Sequence, residues 1–132
     1  LVGSEMCIRD SDIIAQRIPA LLEAATEQTA RVEERVRGNL ATLHELLDAD
    51  PNGLVSVLRA EGGWNVLLRV PSVIDENEMV LKLIAEHGLT GQPGYFFDMT
   101  SNGYLAVSLL PEPEVFRQGI CAVLATVEAL LA

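Results

Sequence analysis

Residues 92–110 read QPGYFFDMTSNGYLAVSLL, so two apolar runs flank a Ser-Asn-Gly turn at residues 101–103. An Asn-Gly pair between apolar runs is typical of a β-hairpin, although this loop is longer than the tightest class. We therefore predict a hairpin whose second strand covers residues 104–110. Pro113 follows that strand and suits the first turn of a final helix, where a missing amide is harmless.

Another strand is predicted upstream of the hairpin, at residues 64–70 (WNVLLRV), directly after a pair of glycines. Its alternation places Trp64, Val66 and Leu68 on one face and Arg69 on the other. The two predicted strand regions therefore belong to one small sheet with a buried and an open face.

Helical patterns occupy most of the remaining chain. Asp75 is the predicted N-cap, and Gly88 the C-terminal stop, of a helix between the first strand and the hairpin. Apolar side chains recur every three to four residues before the strands, which predicts a long amphipathic helix over residues 12–50, begun or kinked at Pro19. This order predicts an α+β two-layer sandwich: a small, mainly antiparallel sheet covered on one face by helices and preceded by the long helix.

The pattern divides the chain into three segments. Residues 1–11 (LVGSEMCIRDS) resemble translated sequencing-adapter read-through, and we expect an artefactual or disordered leader there; the alternative is a genuine polar arm. Residues 12–50 are the expected inter-domain helix. Residues 54–132 are the expected small domain.

Composition and charge argue against several classes of partner. The formal net charge is −10 and the basic residues are dispersed, so binding to nucleic acid or to an anionic membrane is not expected. No apolar run approaches the length that spans a bilayer. The two cysteines and two histidines lack metal-ligand spacing, so neither a metal site nor a disulfide framework is predicted, and a reducing, cytoplasmic setting fits best.

Few side chains are candidates for catalysis. Cys121 lies within the apolar stripe of the last helix, where we expect a core thiol rather than a nucleophile. His44 and His87 occupy positions typical of surface residues. The single lysine, Lys82, lies inside a helix and is expected to face solvent, whereas a Schiff-base lysine must be desolvated beside its cofactor. No catalytic residue is predicted in this chain.

Six short motifs, in a fixed order, carry a resemblance to a known family. They are residues 37–43 (RGNLATL), 62–71 (GGWNVLLRVP), 86–88 (EHG), 93–98 (PGYFFD), 103–110 (GYLAVSLL) and 113–116 (PEVF). From about residue 16 to its end, the chain resembles the C-terminal domain of class I/II, fold-type I aminotransferases, which depend on pyridoxal 5'-phosphate (PLP). Each motif is moderately specific, and the resemblance depends on their order and spacing.

The resemblance implies that the chain is part of a longer enzyme. In this family the cofactor lysine and the phosphate-binding residues belong to the large domain, so PLP would be bound by residues that precede this chain. The resemblance implies that the fragment is inactive alone. It also implies that the small domain closes over an amino-acid or 2-oxo-acid substrate and excludes water, in a homodimeric parent that transfers an amino group between the two.

The resemblance further implies where substrate would bind. The segment that contains Gly94, Tyr95 and Phe96 lines the substrate pocket in the family, which makes these three residues candidates. Trp64 and Asn65 would lie near the pocket entrance. Alternatively, the aromatic residues are core side chains in a protein that has few of them.

One position departs from the family pattern. The family usually has an arginine two residues before the serine of the last strand, where it binds the substrate carboxylate, and this chain has Ala106 there. Arg69, on the neighbouring strand, is a candidate substitute and alternatively a surface residue. The departure leaves the amino-acid substrate open.

A different class of function remains as an alternative. The chain would then be a non-catalytic α+β module that binds a partner through its long amphipathic helix. An upstream reading frame with a lysine segment of the aminotransferase type would favour the enzyme, whereas a start codon near Asp12 would favour the module.

Overall fold

The computed structural model describes residues 14–132, so the predicted leader at residues 1–11 lies outside the described part. Within that part there are four α-helices, four short strands and one 3₁₀ helix. In chain order they are α1 (Ile18–Ala24), α2 (Thr26–Ala49), β1 (Ser56–Val57), β2 (Asn65–Arg69), α3 (Glu76–His87), β3 (Gln92–Pro93), the 3₁₀ helix (Gly94–Phe97), β4 (Tyr104–Ser108) and α4 (Pro113–Leu131). The chain divides into two compact units between Glu34 and Arg35.

The first unit contains α1 and the beginning of α2. Pro19 lies in the first turn of α1, where its missing amide breaks no hydrogen bond. The helical pattern is interrupted at Ala25, between the two helices. The hydroxyl of Thr26 donates to the carbonyl oxygen of Glu23 at 3.0 Å, and bonds of this kind bend helices. The large apolar side chains of α1 are exposed: Ile18, Leu21 and Leu22.

The second unit is built on one antiparallel sheet with the strand order β1-β2-β4-β3. β2 and β4 pair along their whole length, from Asn65 opposite Ser108 to Arg69 opposite Tyr104. β1 adds two residues at one edge and β3 adds two at the other. Because side chains alternate along each strand, this register decides which residues face the helices and which do not.

The predicted hairpin is present, but its first strand is short. β3 ends at Pro93, and residues Gly94–Phe97 form the 3₁₀ helix instead of extending the strand. A Cβ atom on Gly94 would come within 2.8 Å of the Cβ of Tyr104, so only glycine allows this close approach. Asp98 follows in the left-handed conformation, at φ 56°. The backbone therefore turns away from β4 where an alternating pattern would continue the strand.

Helices α2, α3 and α4 contribute to a core that covers one face of the sheet. Its members from the helices are Leu43, Met79, Leu83, Phe116, Ile120, Ala122, Val123 and Val127. Its members from the paired strands are Val66, Leu68 and Leu105. The predicted α+β two-layer architecture is confirmed.

The predicted ends of the helices are also observed. The carboxylate of Asp75 accepts a hydrogen bond from the amide of Glu78 at 2.9 Å and so caps α3. Gly88 ends α3 in the left-handed conformation, at φ 64°. Pro113 occupies the first turn of α4. These local signals depend on a few adjacent residues, which is why the sequence alone reveals them.

Candidate functional site

The face of the sheet opposite the helices is referred to below as the open face. β2 buries Val66 and Leu68 in the core, so the residues between and beside them face the other way. β4 buries Leu105 in the same manner. The open face therefore carries Asn65, Leu67 and Arg69 of β2 with Tyr104 and Ala106 of β4.

Arg69 and Ala106 share the open face. Arg69 lies opposite Tyr104 and Ala106 lies opposite Leu67, so Arg69 and Ala106 are diagonal neighbours on adjacent strands. Diagonal neighbours lie about 7–8 Å apart, a distance that a long side chain spans. Arg69 can therefore reach the surface beside Ala106, which is the position where the family resemblance predicts an arginine.

A polar cleft of about 570 Å³ lies at the Arg69 end of the open face. Its polar lining residues are Ser56, Arg69, Ser72, Ser101, Asn102 and Tyr104, and three apolar residues complete it. The loops on its two sides are joined by a hydrogen bond from the amide of Val70 to the carbonyl oxygen of Gly103, at 2.9 Å. We refer to this space as the Arg69 cleft.

The segment Gly94–Phe97 presents its aromatic side chains to solvent. Gly94 is buried, whereas Tyr95, Phe96 and Phe97 have exposed fractions of 48%, 63% and 51%. The rings of Tyr95 and Phe96 meet edge to face, with centroids 4.9 Å apart. Trp64 is 54% exposed as well, so the interpretation of these residues as core aromatics is wrong for this chain.

Glu76 holds the aromatic segment in place, and the sequence analysis assigned it no role. Its side chain is only 2% exposed, and its carboxylate accepts hydrogen bonds from the amides of Tyr95 (3.4 Å), Gly103 (2.8 Å) and Tyr104 (2.8 Å). The hydroxyl of Tyr95 donates to Asn77, the next residue of α3, at 3.0 Å. The first turn of α3 therefore fixes both the 3₁₀ helix and the start of β4. The only local sign of this role in the sequence is that a glutamate stands at a predicted helix start. The amides that donate to it lie far away in sequence.

The structure brings together some of the predicted site residues and separates others. Gly94 contacts the Tyr104 position, and Tyr104 lines the Arg69 cleft, so the aromatic segment and Arg69 lie at the same end of the sheet. Asn65 lies at the opposite end of β2, four residues or about 13 Å away at ~3.3 Å per residue. Trp64, which directly precedes β2, was predicted to lie on the face of Val66 and Leu68 but is exposed at that end.

Two expectations about isolated reactive residues need correction. Cys121 is exposed, since it lies beside the buried stripe of α4 rather than in it. Lys82 does not extend fully into solvent: its side chain is 27% exposed, with Nζ 3.8 Å from a carboxylate oxygen of Glu86. His44 and His87 are exposed, as expected.

Two features are absent from residues 14–132. No group of three or more histidine, cysteine, aspartate or glutamate side chains in this part is arranged to hold a metal ion. None of the helices described here is both long enough and apolar enough to cross a membrane.

Comparison of the sequence with protein-family models and with curated proteins found no match. Solved structures do match. A PLP-dependent aminotransferase from Streptococcus suis is similar over 90% of this chain, with a TM-score of 0.71 and 24% identity. LysN, an α-aminoadipate aminotransferase from Thermus thermophilus, is similar over 86%, with a TM-score of 0.70 and 20% identity. A tyrosine aminotransferase from Leishmania infantum covers 86% at a TM-score of 0.69 and 20% identity.

These similarities define the fold class of the chain. It has the α+β fold of a part of PLP-dependent aminotransferases, of the small-domain type, and the fold expected from the motifs is confirmed. The chain spans about 30% of the length of the first two of these enzymes.

Proposed function

We propose that this chain is the C-terminal small domain of a PLP-dependent aminotransferase and that it closes over the substrate during transfer of an amino group from an amino acid to a 2-oxo acid. The observation that carries the proposal is the fold similarity to such enzymes over 86–90% of the chain. The parent enzyme is proposed to be a cytoplasmic homodimer.

The exposed aromatic segment supports the proposed closing role. Tyr95 and Phe96 lie on a short 3₁₀ helix whose backbone is tied to Glu76, so their rings are held at the surface in a defined position. Because these rings are already fixed, they cover a bound substrate without the entropy cost of ordering a mobile loop. Closing a site with such a surface excludes water and strengthens the polar contacts inside it.

Lys82 does not fit the role of the lysine that binds the cofactor. Lys82 is the single lysine, it lies on α3 beside Glu86, and it is not among the residues that line the Arg69 cleft. PLP supplies the electron-withdrawing group of amino transfer. We infer that PLP is bound by the large domain of the parent enzyme.

The proposal is tested by expressing a longer reading frame that contains this chain and measuring amino transfer from a panel of L-amino acids to 2-oxo acids. We expect activity that requires PLP and that falls when Tyr95 and Phe96 are both changed to Ala, because an open site admits water. A purified long protein that retains PLP but transfers no amino group would contradict the proposal.

A second measurement uses the chain itself. We expect the 132-residue chain to develop no visible absorbance band of lysine-bound cofactor when PLP is added, because Lys82 is not held in a cofactor site. The matched control is K82A. A stable band that is lost in K82A would show that this chain carries a functional cofactor lysine.

The alternative of a partner-binding module is favoured by one observation. The large apolar side chains of α1 are exposed, with values of 45% for Ile18, 56% for Leu21 and 68% for Leu22. An apolar helix face of this kind binds proteins in other modules. A reading frame that starts near residue 12, together with loss of partner binding in L21S/L22S, would establish the module and displace the enzyme.

A further inference from the structure

Arg69 differs from the other cationic side chains of its unit. In the described residues 35–132, ion pairs join Arg35 to Glu112, Arg59 to Glu61, Lys82 to Glu86 and Arg117 to Glu45. Arg37 has an interaction partner as well. Within this same stretch, Arg69 is the one arginine or lysine side chain that makes no ion pair and no hydrogen bond. Its donors are available to a ligand.

The Arg69 cleft has a composition that suits an anion. No acidic residue of the described part, residues 14–132, lines this cleft. Its polar lining consists of three serines, Asn102, Tyr104 and Arg69, all of which carry hydrogen-bond donors. In a protein of net charge −10, a cleft with a cation and without a carboxylate attracts negative ligands locally.

The position of the cleft connects it with the proposed substrate segment. Tyr104 lines the cleft and directly contacts the Gly94 position, from which the exposed ring of Tyr95 follows. A ligand bound to the Arg69 guanidinium therefore lies next to the segment that is proposed to close over it. Ala106 leaves the adjacent surface of β4 open, because its side chain is a single methyl group.

We propose that the Arg69 cleft binds the carboxylate of the amino-acid or 2-oxo-acid substrate, with the Arg69 guanidinium on β2 as its bidentate donor in place of an arginine on β4. This inference rests on the proposed function. The planar guanidinium presents two parallel N–H groups to one carboxylate, which a lysine cannot reproduce. The serine hydroxyls and the Asn102 amide donate to the outer carboxylate oxygens or to the α-substituent.

The experiment is an NMR titration of the 132-residue chain, observing the Nε–Hε resonance of Arg69. The probe is pyruvate, a small 2-oxo acid, and the matched ligand is its uncharged methyl ester. We expect pyruvate to give a saturable shift and the ester to give none. In R69Q, followed through the amides of Ser72 and Asn102, affinity for pyruvate falls at least about tenfold. In R69K it falls as well, because the charge remains but the two parallel donors are lost.

The control variant is R59Q, which removes an exposed arginine that already pairs with Glu61 and does not line the cleft. We expect its affinity for pyruvate to remain that of the unmodified chain. Arg69 is exposed, so R69Q is expected to remain folded, and the dispersion of its amide spectrum checks this.

Three outcomes of the titration overturn the assignment. They are the absence of a saturable shift at tens of millimolar pyruvate, equal affinity in R69Q, and a clear preference for inorganic phosphate over pyruvate. The test needs neither the cofactor nor amino transfer. If Arg69-dependent pyruvate binding is found while the longer protein transfers no amino group, the proposed function fails and the carboxylate site stands. If amino transfer is unchanged by R69Q in the longer protein, the assignment of Arg69 fails and the proposed function stands.

Discussion

Glu76 is a charged side chain that is almost completely buried, and its surroundings explain why. Three backbone amides from two distant segments converge on one carboxylate, which replaces the water that the charge loses on burial. The next residue, Asn77, binds the hydroxyl of Tyr95. The position of the proposed substrate segment therefore depends on one turn of α3.

We expect Glu76→Ala to lower the free energy of unfolding by about 3 kcal/mol, because buried amides lose their acceptor. Glu76→Gln keeps one acceptor oxygen and is expected to cost about 1 kcal/mol. Urea denaturation followed by circular dichroism measures both. The matched control is Glu78→Gln on the same turn, an exposed site where the change stays within about 0.5 kcal/mol. Equal stabilities for the Glu76 and Glu78 variants would contradict the anchoring role.

At the scale of elements, one buried polar residue of α2 is hydrogen-bonded to the connection between β4 and α4. Asn39 is 1% exposed, and its amide nitrogen donates to the carbonyl oxygens of Leu109 and Pro111, each at 2.8 Å. These carbonyls belong to the connection between β4 and α4, where strand pairing has ended and the backbone needs other partners. Asn39 thus joins three elements of the second unit.

We expect Asn39→Ala to destabilise the chain by about 2 kcal/mol, since the Leu109 carbonyl loses its Asn39 donor, the Pro111 carbonyl keeps only the longer bond from Arg35, and a cavity is left. Thermal unfolding measures the change. Asn52→Ala is the control, because Asn52 is exposed and is expected to have a much smaller effect. Backbone amide exchange should accelerate at the start of α4 in the Asn39 variant, and protection equal to that of the unmodified chain would contradict this role.

At the scale of the whole molecule, the core formed by residues 14–132 belongs entirely to the second unit. Every residue of the buried apolar cluster lies between Leu43 and Val127, and no side chain of residues 14–34 is buried. Stability should therefore depend on the second unit by itself, because burial of apolar surface is the dominant favourable term.

A chain that begins at Arg35 is accordingly expected to unfold cooperatively, with a free energy within about 1 kcal/mol of that of the full chain. Urea denaturation of the two chains gives the comparison. Loss of the cooperative transition on removal of residues 1–34 would show that the first unit contributes to the fold of the second.

The sequence by itself determined the features that depend on neighbouring residues: the cap at Asp75, the stop at Gly88, the first turn at Pro113 and the two-residue alternation of β2. It also indicated the two-layer architecture, because helix and strand periods differ. These signals are local, since they reflect hydrogen bonds and rotations within a few residues. The order of the six motifs also indicated the fold class, because it follows the order of the helices and strands along the chain.

Only the tertiary structure decided which of these residues meet. The register of β2 against β4 sets Arg69 diagonal to Ala106, and the approach of two loops leaves a cleft that no carboxylate of residues 14–132 lines. Packing of α4 leaves Cys121 exposed although the adjacent Ile120 and Ala122 are buried, and the carboxylate of the buried Glu76 pairs with amides far away in sequence. The physical reason is common to all of them: burial and electrostatic surroundings depend on groups far apart in sequence, which periodicity does not record.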